Sequence, residues 1–302
     1  MDHKKVQAYL QGIYKQIAAN EASMTADDSF TGFLDTSLQE LVAEGKALFT
    51  TSFTEFGETF TTDYSTTGLL HSAATLKIYQ AVLSYRDQKD TAAYQHLLQA
   101  YGLILMVETA ALKDGDGEES LFSTDIALSL MLALTYFPGD APGIMRYLLF
   151  YLEKNQELMQ AKMYANRLGK TDLLPLALFL AEAAGLEDAS AIRPYCSDKT
   201  DPAYAAAIRD LYTTEENLVN QWVEDLVTSH IDNSKDDWTL SFNNITWQFF
   251  PIEIIALLVL RAKKGLDNSF INNPLIAEFL PYIETGVADT ALLDHIRERV
   301  KA

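Results

Sequence analysis

Glu216, Asn220 and Glu224 stand at i, i+4 and i+8 in ENLVNQWVE, a spacing that lines three oxygen-bearing side chains along one helical face. Such a face could contribute to a magnesium site, but a solvated helix surface is the default reading. A second acidic group, DGDGEE at 114–119, suggests a calcium loop. When Asp114, Asp116 and Gly117 are placed in register, positions one and twelve fall on Leu112 and Ser123, where acidic ligands belong. It therefore reads as an acidic turn between two helices, and as a candidate binding loop. The histidines, His3, His71, His96, His230 and His295, are scattered singly, so each reads as a surface or satisfied core residue. Cys196, the one cysteine, has no histidine near it in sequence and reads as a partly buried thiol rather than a nucleophile. The chain has no H-E-x-x-H, G-x-S-x-G, Walker loop or G-x-G-x-x-G. No catalytic set, metal cluster or cofactor loop is expected.

The elements that position these residues are almost all helical by periodicity. Val6, Leu10, Ile13 and Ile17 form one stripe, and Leu38, Leu41, Ala47 and Leu48 begin another. Further helices are expected at about 68–87, 91–112, 120–137, 142–154, 157–168 and 172–185, then 202–211, 214–230, 251–264, 274–283 and 290–300. Asp201 followed by Pro202 is a cap with proline at the first helical position, and Thr213 with Glu216 fits a capping box. PGDAPG at 138–143 is a turn, and the natural place for any sub-division. The threonines of FTTSFTEFGETFTTDYSTT (49–67) argue against a helix. Yet Phe49, Phe53, Phe56, Phe60 and Tyr64 are spaced four, three, four and four, which predicts a helix held by tertiary packing. Only 238–246 (WTLSFNNIT) alternates as a strand would. A faint echo links LLPLALFLAEAAGLEDAS (173–190) to FFPIEIIALLVLRAKKGLDNS (249–269). The fold class is all-α: a single domain over 1–302 of packed antiparallel helices, about ten to twelve of them.

At 302 residues with 48% hydrophobic and 11% aromatic content, the chain can bury a large core without disulfides or metals. One cysteine fits a reducing compartment. The N-terminus lacks a signal peptide's continuous apolar core, and the longest apolar runs, 126–137 and 252–260, fall short of the ~20 residues that span a bilayer. A soluble, cytoplasmic protein is expected. Against 23 basic residues stand 42 acidic ones, a net charge of −19. That sign disfavours nucleic acid and anionic lipid and would steer a basic protein partner, although it also serves plain solubility.

Two resemblances enter on these residues. ENLVNQWVE resembles the second magnesium motif of all-helical terpene synthases, which implies an upstream aspartate-rich partner. The nearest candidate, DQKD, supplies only Asp87 and Asp90, half the oxygen ligands that the family's magnesium cluster needs. The stretch WQFFPIEIIALLVLRAKKGLDNSFINNPLIAEFLP (247–281) resembles the C-terminal signature of all-helical immunity proteins of bacterial polymorphic toxin systems, immunity family forty-nine. The matching positions are Phe249 to Ile252, Ala256 and Leu257, Lys263 to Gly265, and Leu280 with Pro281; LDNSF at 266–270 is instead similar to helical immunity proteins of nuclease toxins. Within the stretch, Pro251 suits a helix first turn, Glu253 complements the dipole there, and Arg261, Lys263 and Lys264 complement its far end before Gly265. Ile255, Leu258 and Val259 are expected in the core. The resemblance implies an inhibitor that occludes one cognate toxin, basic by charge complementarity. The partner surface is then expected at the two acidic loops, on Asp114, Asp116, Glu118 and Glu119 and on Asp232, Asp236, Asp237 and the aromatic anchor Trp238. A helical adaptor without a toxin partner is the alternative.

Overall fold

Val6, Leu10, Ile13 and Ile17 form the buried face of the first helix, α1 (His3–Met24). The computed structural model describes residues 3–55, 57–114, 123–155, 173–196, 200–237, 240–288 and 290–301. After α1 come α2 (Asp28–Glu44), a hairpin of β1 (Leu48–Glu55) and β2 (Glu58–Ser65), α3 (Thr66–Gln88), α4 (Thr91–Asp114), α5 (Ser123–Tyr136) and α6 (Ala141–Lys154). The chain continues through α7 (Leu173–Ala183), a 3₁₀ helix (Ala189–Tyr195), α8 (Pro202–Arg209) and α9 (Glu216–Asp232). It ends with α10 (Ile245–Phe249), α11 (Ile252–Lys263), α12 (Pro274–Ala277) and α13 (Ala291–Lys301). The all-α class holds. Thirteen α-helices among the described residues slightly exceed the expected number, because two of them, α10 and α12, are single short turns. The helix expected over 157–168 lies outside the described residues. No described helix is long and apolar enough to cross a membrane.

Only Lys89 and Asp90 join α3 to α4, so the two must fold back on each other, and they form the central pair. α1 and α2 lie against α3, α13 against α4 and α2, and α6 against α4 and α5. α5 in turn carries α7 and α11. One hydrophobic core runs through all of these. The turn over 138–143 therefore connects two helices packed on each other, α5 and α6, rather than separating two units. Near α12, the Tyr85 ring stacks on Phe279 at 5.7 Å and its hydroxyl donates to the Glu278 carbonyl at 2.6 Å.

The region from 249 follows its local signals. Ile255 and Leu258 are fully buried and Val259 is 6% exposed. At the end of α11, Gly265 takes φ +75°, a conformation that costs a glycine nothing. Its N–H reaches the Ala262 carbonyl at 2.8 Å, and the Leu266 N–H reaches that of Arg261 at 3.2 Å. This is a Schellman cap. The echo seen in the sequence is real at this cap: Gly185 N–H meets Glu182 at 3.0 Å and Leu186 N–H meets Ala181 at 2.9 Å. The prolines differ. Pro251 precedes α11, whereas Pro175 lies within the first turn of α7.

Three local expectations are corrected. Residues 48–65 are a β-hairpin, not a helix. A spacing of four is nearly one helical turn, but it is also twice the strand period, so aromatics four apart share a face in either structure. The register pairs Phe49 with Tyr64 and Phe53 with Phe60, which gathers the aromatic positions on one side. There Phe49 is fully buried, and Tyr64 packs 5.3 Å from Phe33 of α2. The β-branched threonines then decide the outcome: Thr50 donates to Asp63 at 2.6 Å, and Ser52 and Thr61 hydroxyls meet at 3.2 Å. The alternating stretch 238–246 is not a strand where it is described. Leu240 N–H turns back to the Asp237 carbonyl at 2.9 Å, and the Asn244 side chain caps α10 through Thr246 N–H at 3.1 Å. Finally, Thr213 accepts from Glu215 N–H at 3.2 Å, one residue short of a capping box, while Asp201 caps α8 through Ala203 N–H at 2.8 Å as expected.

Candidate functional site

Of the eight residues expected at a partner surface, the structure describes Asp114, Asp232, Asp236 and Asp237; Asp116, Glu118, Glu119 and Trp238 lie outside the described residues. Asp114 closes α4, is exposed, and accepts from the Thr67 hydroxyl at 3.1 Å. Asp232 closes α9 and pairs with Lys5 at 3.0 Å, both side chains being more than half exposed. An exposed pair of this kind is worth about 0–1 kcal/mol, so it holds Asp232 weakly. Asp236 and Asp237 are exposed on the bend that follows, which is shaped by Asp237 N–H donating to the Lys235 carbonyl at 2.7 Å.

A pocket of about 40 Å³ is lined by α3, α4, α5 and the turn into α10, and neither acidic stretch is part of its lining. Glu108 of α4 and Asp125 of α5 bring carboxylates, α3 brings His71 and Ile78, and the turn into α10 brings Asn244 and Trp247. Asp114 lies six residues beyond Glu108, about 9 Å of helix. On the other side, the 232–237 bend is tied to the pocket wall by Phe242 N–H donating to the Asn233 carbonyl at 3.1 Å, two residues before Asn244. Glu108 is wholly buried, and neither of its oxygens has a hydrogen-bond partner. Ser129 of α5 faces it without hydrogen-bonding geometry. Burial holds the Glu108 carboxyl well above the usual carboxylate range; the Asp125 charge adds to this and Ser129 only partly opposes it. A buried polar group left unpaired costs about 1–3 kcal/mol, so Glu108 is not there for stability. Sequence reasoning passed over it. The available signal was a lone carboxylate inside an otherwise apolar run, YGLILMVETAAL (101–112).

A second buried carboxylate is paired through one of its oxygens. Glu253 was read as a dipole partner on α11, but it is fully buried and its Oε1 lies 2.7 Å from His230 Nδ1 of α9. His230 Nε2 is 3.0 Å from the Gln248 carbonyl. A carbonyl only accepts, so Nε2 carries a proton, and a further one lies between Nδ1 and Glu253. Tyr9 of α1 donates to the same carbonyl at 2.7 Å, and the Phe242 ring covers the imidazole at 4.3 Å. The arrangement clamps α1, α9, α10 and α11 together. Arg261, read as a dipole partner at the far end, is likewise buried: it donates to the Asn268 side chain at 3.0 Å and to the carbonyls of Leu211 and Thr213.

The magnesium reading does not find its geometry. Asn220 donates back to the Glu216 carbonyl at 3.1 Å, and Glu224 accepts from Asn273 at 2.7 Å. Asp87 pairs with its neighbour Arg86 at 2.7 Å, and Asp90 caps Ala93 N–H at 2.8 Å. Among the described residues no three acidic, histidine or cysteine side chains gather as metal ligands would. Cys196 is half-buried, donates to the Ile192 carbonyl at 3.5 Å, and has its thiol pushed up to about 11 by burial. It is not a ready thiolate. A larger groove of about 650 Å³ lies between α3, α4 and α13. Its floor is apolar, with Ala81, Ala100, Leu103 and Leu293, and its ionisable lining is Lys77 and His96.

Fold and site together define an acidic, all-helical chain with a buried, unpaired carboxyl group, Glu108, in the lining of a small pocket. No family model, curated protein or solved structure matches it.

Proposed function

We propose that this chain is a non-catalytic immunity protein, which binds one cognate basic toxin of a bacterial polymorphic toxin system and neutralises it by steric occlusion. The observation that supports the reading is the exposure of the acidic residues Asp114, Asp232, Asp236 and Asp237. A net charge of −19 extends that character over the chain and favours encounter with a cation-rich partner. The resemblance of 247–281 to helical immunity proteins supplies the direction. In this reading those residues are scaffold: α11 is core, and the partner meets the surface outside it.

Co-expression with the toxin encoded beside it tests the proposal. Survival of cells carrying both, and death of cells carrying the toxin alone, is the expected outcome; death in both contradicts it. Reversing Asp236 and Asp237 to lysine should slow association with the toxin about tenfold or more at low salt and flatten its salt dependence, with thermal stability little changed. An unaltered association rate removes the bend from the interface. The apolar groove between α3, α4 and α13 favours a second reading, a helical adaptor. Several unrelated bound proteins, none of them inhibited, would mark that role.

A further inference from the structure

We propose that the pocket between α3, α4, α5 and the 244–247 turn is a binding site for a primary ammonium group, supplied in the complex by the tip of a lysine side chain of the partner. The lysine rests on the proposed function; the ammonium site does not.

The pocket's walls and floor differ in kind. Ala74, Ile78, Ile104 and Val107 give it apolar sides, and Glu108 and Asp125 are its acidic lining residues. His71 is exposed and Asn244 is half-exposed, which marks the mouth, whereas Glu108 is wholly buried and marks the floor. An apolar shaft ending at acceptors matches a lysine, whose methylene stem packs on apolar surface while its head seeks acceptors. Size narrows the choice. A water needs roughly 10–15 Å³ of such space, so about 40 Å³ holds an ammonium and its first methylene but is too small for the bulk of a tetramethylammonium ion. Two carboxylates also fall short of the six oxygens that magnesium or calcium requires.

In the empty pocket burial favours the protonated form of the Glu108 carboxyl, because it disfavours the charge. An entering ammonium reverses that preference: Glu108 gives up its proton to solvent, and a carboxylate–ammonium pair remains. The other titratable groups lining the pocket are Asp125 on α5 and His71 on α3. Protonation of any of the three opposes the ligand, so binding should tighten as pH rises.

The test uses methylammonium chloride, with tetramethylammonium chloride at equal ionic strength as the probe too large to enter. At pH 8, methylammonium at about ten times its Kd should raise the Tm of the wild-type chain about 2–5 °C above the tetramethylammonium value. The difference should shrink at pH 6 and vanish in Glu108→Gln, which keeps the shape of the protonated acid. Equal Tm values in the two salts for the wild-type chain, a reading that needs no variant, overturn the site; so does a difference that survives in Glu108→Gln. A second arm assigns the source. Affinity for the toxin should fall tenfold or more in Glu108→Gln, and an unchanged affinity beside an intact methylammonium effect overturns the lysine in favour of a free amine. A wild-type chain that never binds the toxin defeats the immunity reading, while the methylammonium arm still decides the site.

Discussion

The helix α11 and the hairpin β1–β2 carry equally strong apolar patterns, yet one reads correctly from sequence and the other does not. In α11 the local signals agree with burial: proline before the first turn, an apolar run, a glycine at φ +75° after it, and Ile252 to Leu258 almost entirely enclosed. In the hairpin they conflict. Aromatics four apart fit a helix and a strand equally well, and only the threonines, two cross-strand hydroxyl contacts and Gly57 at φ +82° separate the two. The contrast teaches that periodicity fixes an element where burial makes one answer far cheaper than the other. On a largely exposed two-stranded ribbon, propensity has the casting vote.

The largest effect should come from α11. Leu258→Ala is expected to cost about 2–5 kcal/mol in urea unfolding through lost transfer energy and the cavity left behind; a cost below about 1 kcal/mol would mean the helix is not core, and the contrast would collapse. Next is Glu253→Ala, which orphans His230 Nδ1 and should cost about 1–3 kcal/mol. A neutral result would mean that the buried pair adds nothing to how α9 and α11 dock.

Glu108→Gln probes the reverse case, a buried carboxyl that burdens the fold. Its native pKa lies above the ordinary 4.5, so the stability due to its protonated form is full below pH 4.5 and is lost as pH climbs towards the raised value. Glutamine suffers no such loss. The Tm of the variant relative to wild type, without added amine, should therefore grow from pH 4.5 to pH 8; a gap flat in pH contradicts the assignment. The smallest effect discriminates by its sign. Thr61→Ala removes the contact with Ser52 and should destabilise by about 0.2–1 kcal/mol. Were 48–65 helical, alanine would stabilise instead.

Legibility followed the same physical line elsewhere. The stripe of α1, the apolar run of α11 and the Asp201–Pro202 cap were plain because each follows a local rule along the chain. The partners of Arg261 were not, since Leu211 and Thr213 lie about fifty residues away and no local rule joins them. The pairing of His230 with Glu253 hides likewise in two helices that look amphipathic on their own. The exposed acidic stretches declare themselves by composition, whereas Glu108 in the pocket is a single charged letter in an apolar helix, and only packing shows that no hydrogen bond answers it.

The central claim is inhibition by occupancy, without turnover. Titrating a fixed amount of the cognate toxin with this chain and following residual toxin activity tests it most directly. The account predicts a linear fall that reaches zero near one equivalent, with active toxin recovered when the complex is dissociated in high salt or denaturant and the toxin refolded. Complete loss at a small fraction of an equivalent, or toxin left permanently altered after separation, would contradict it.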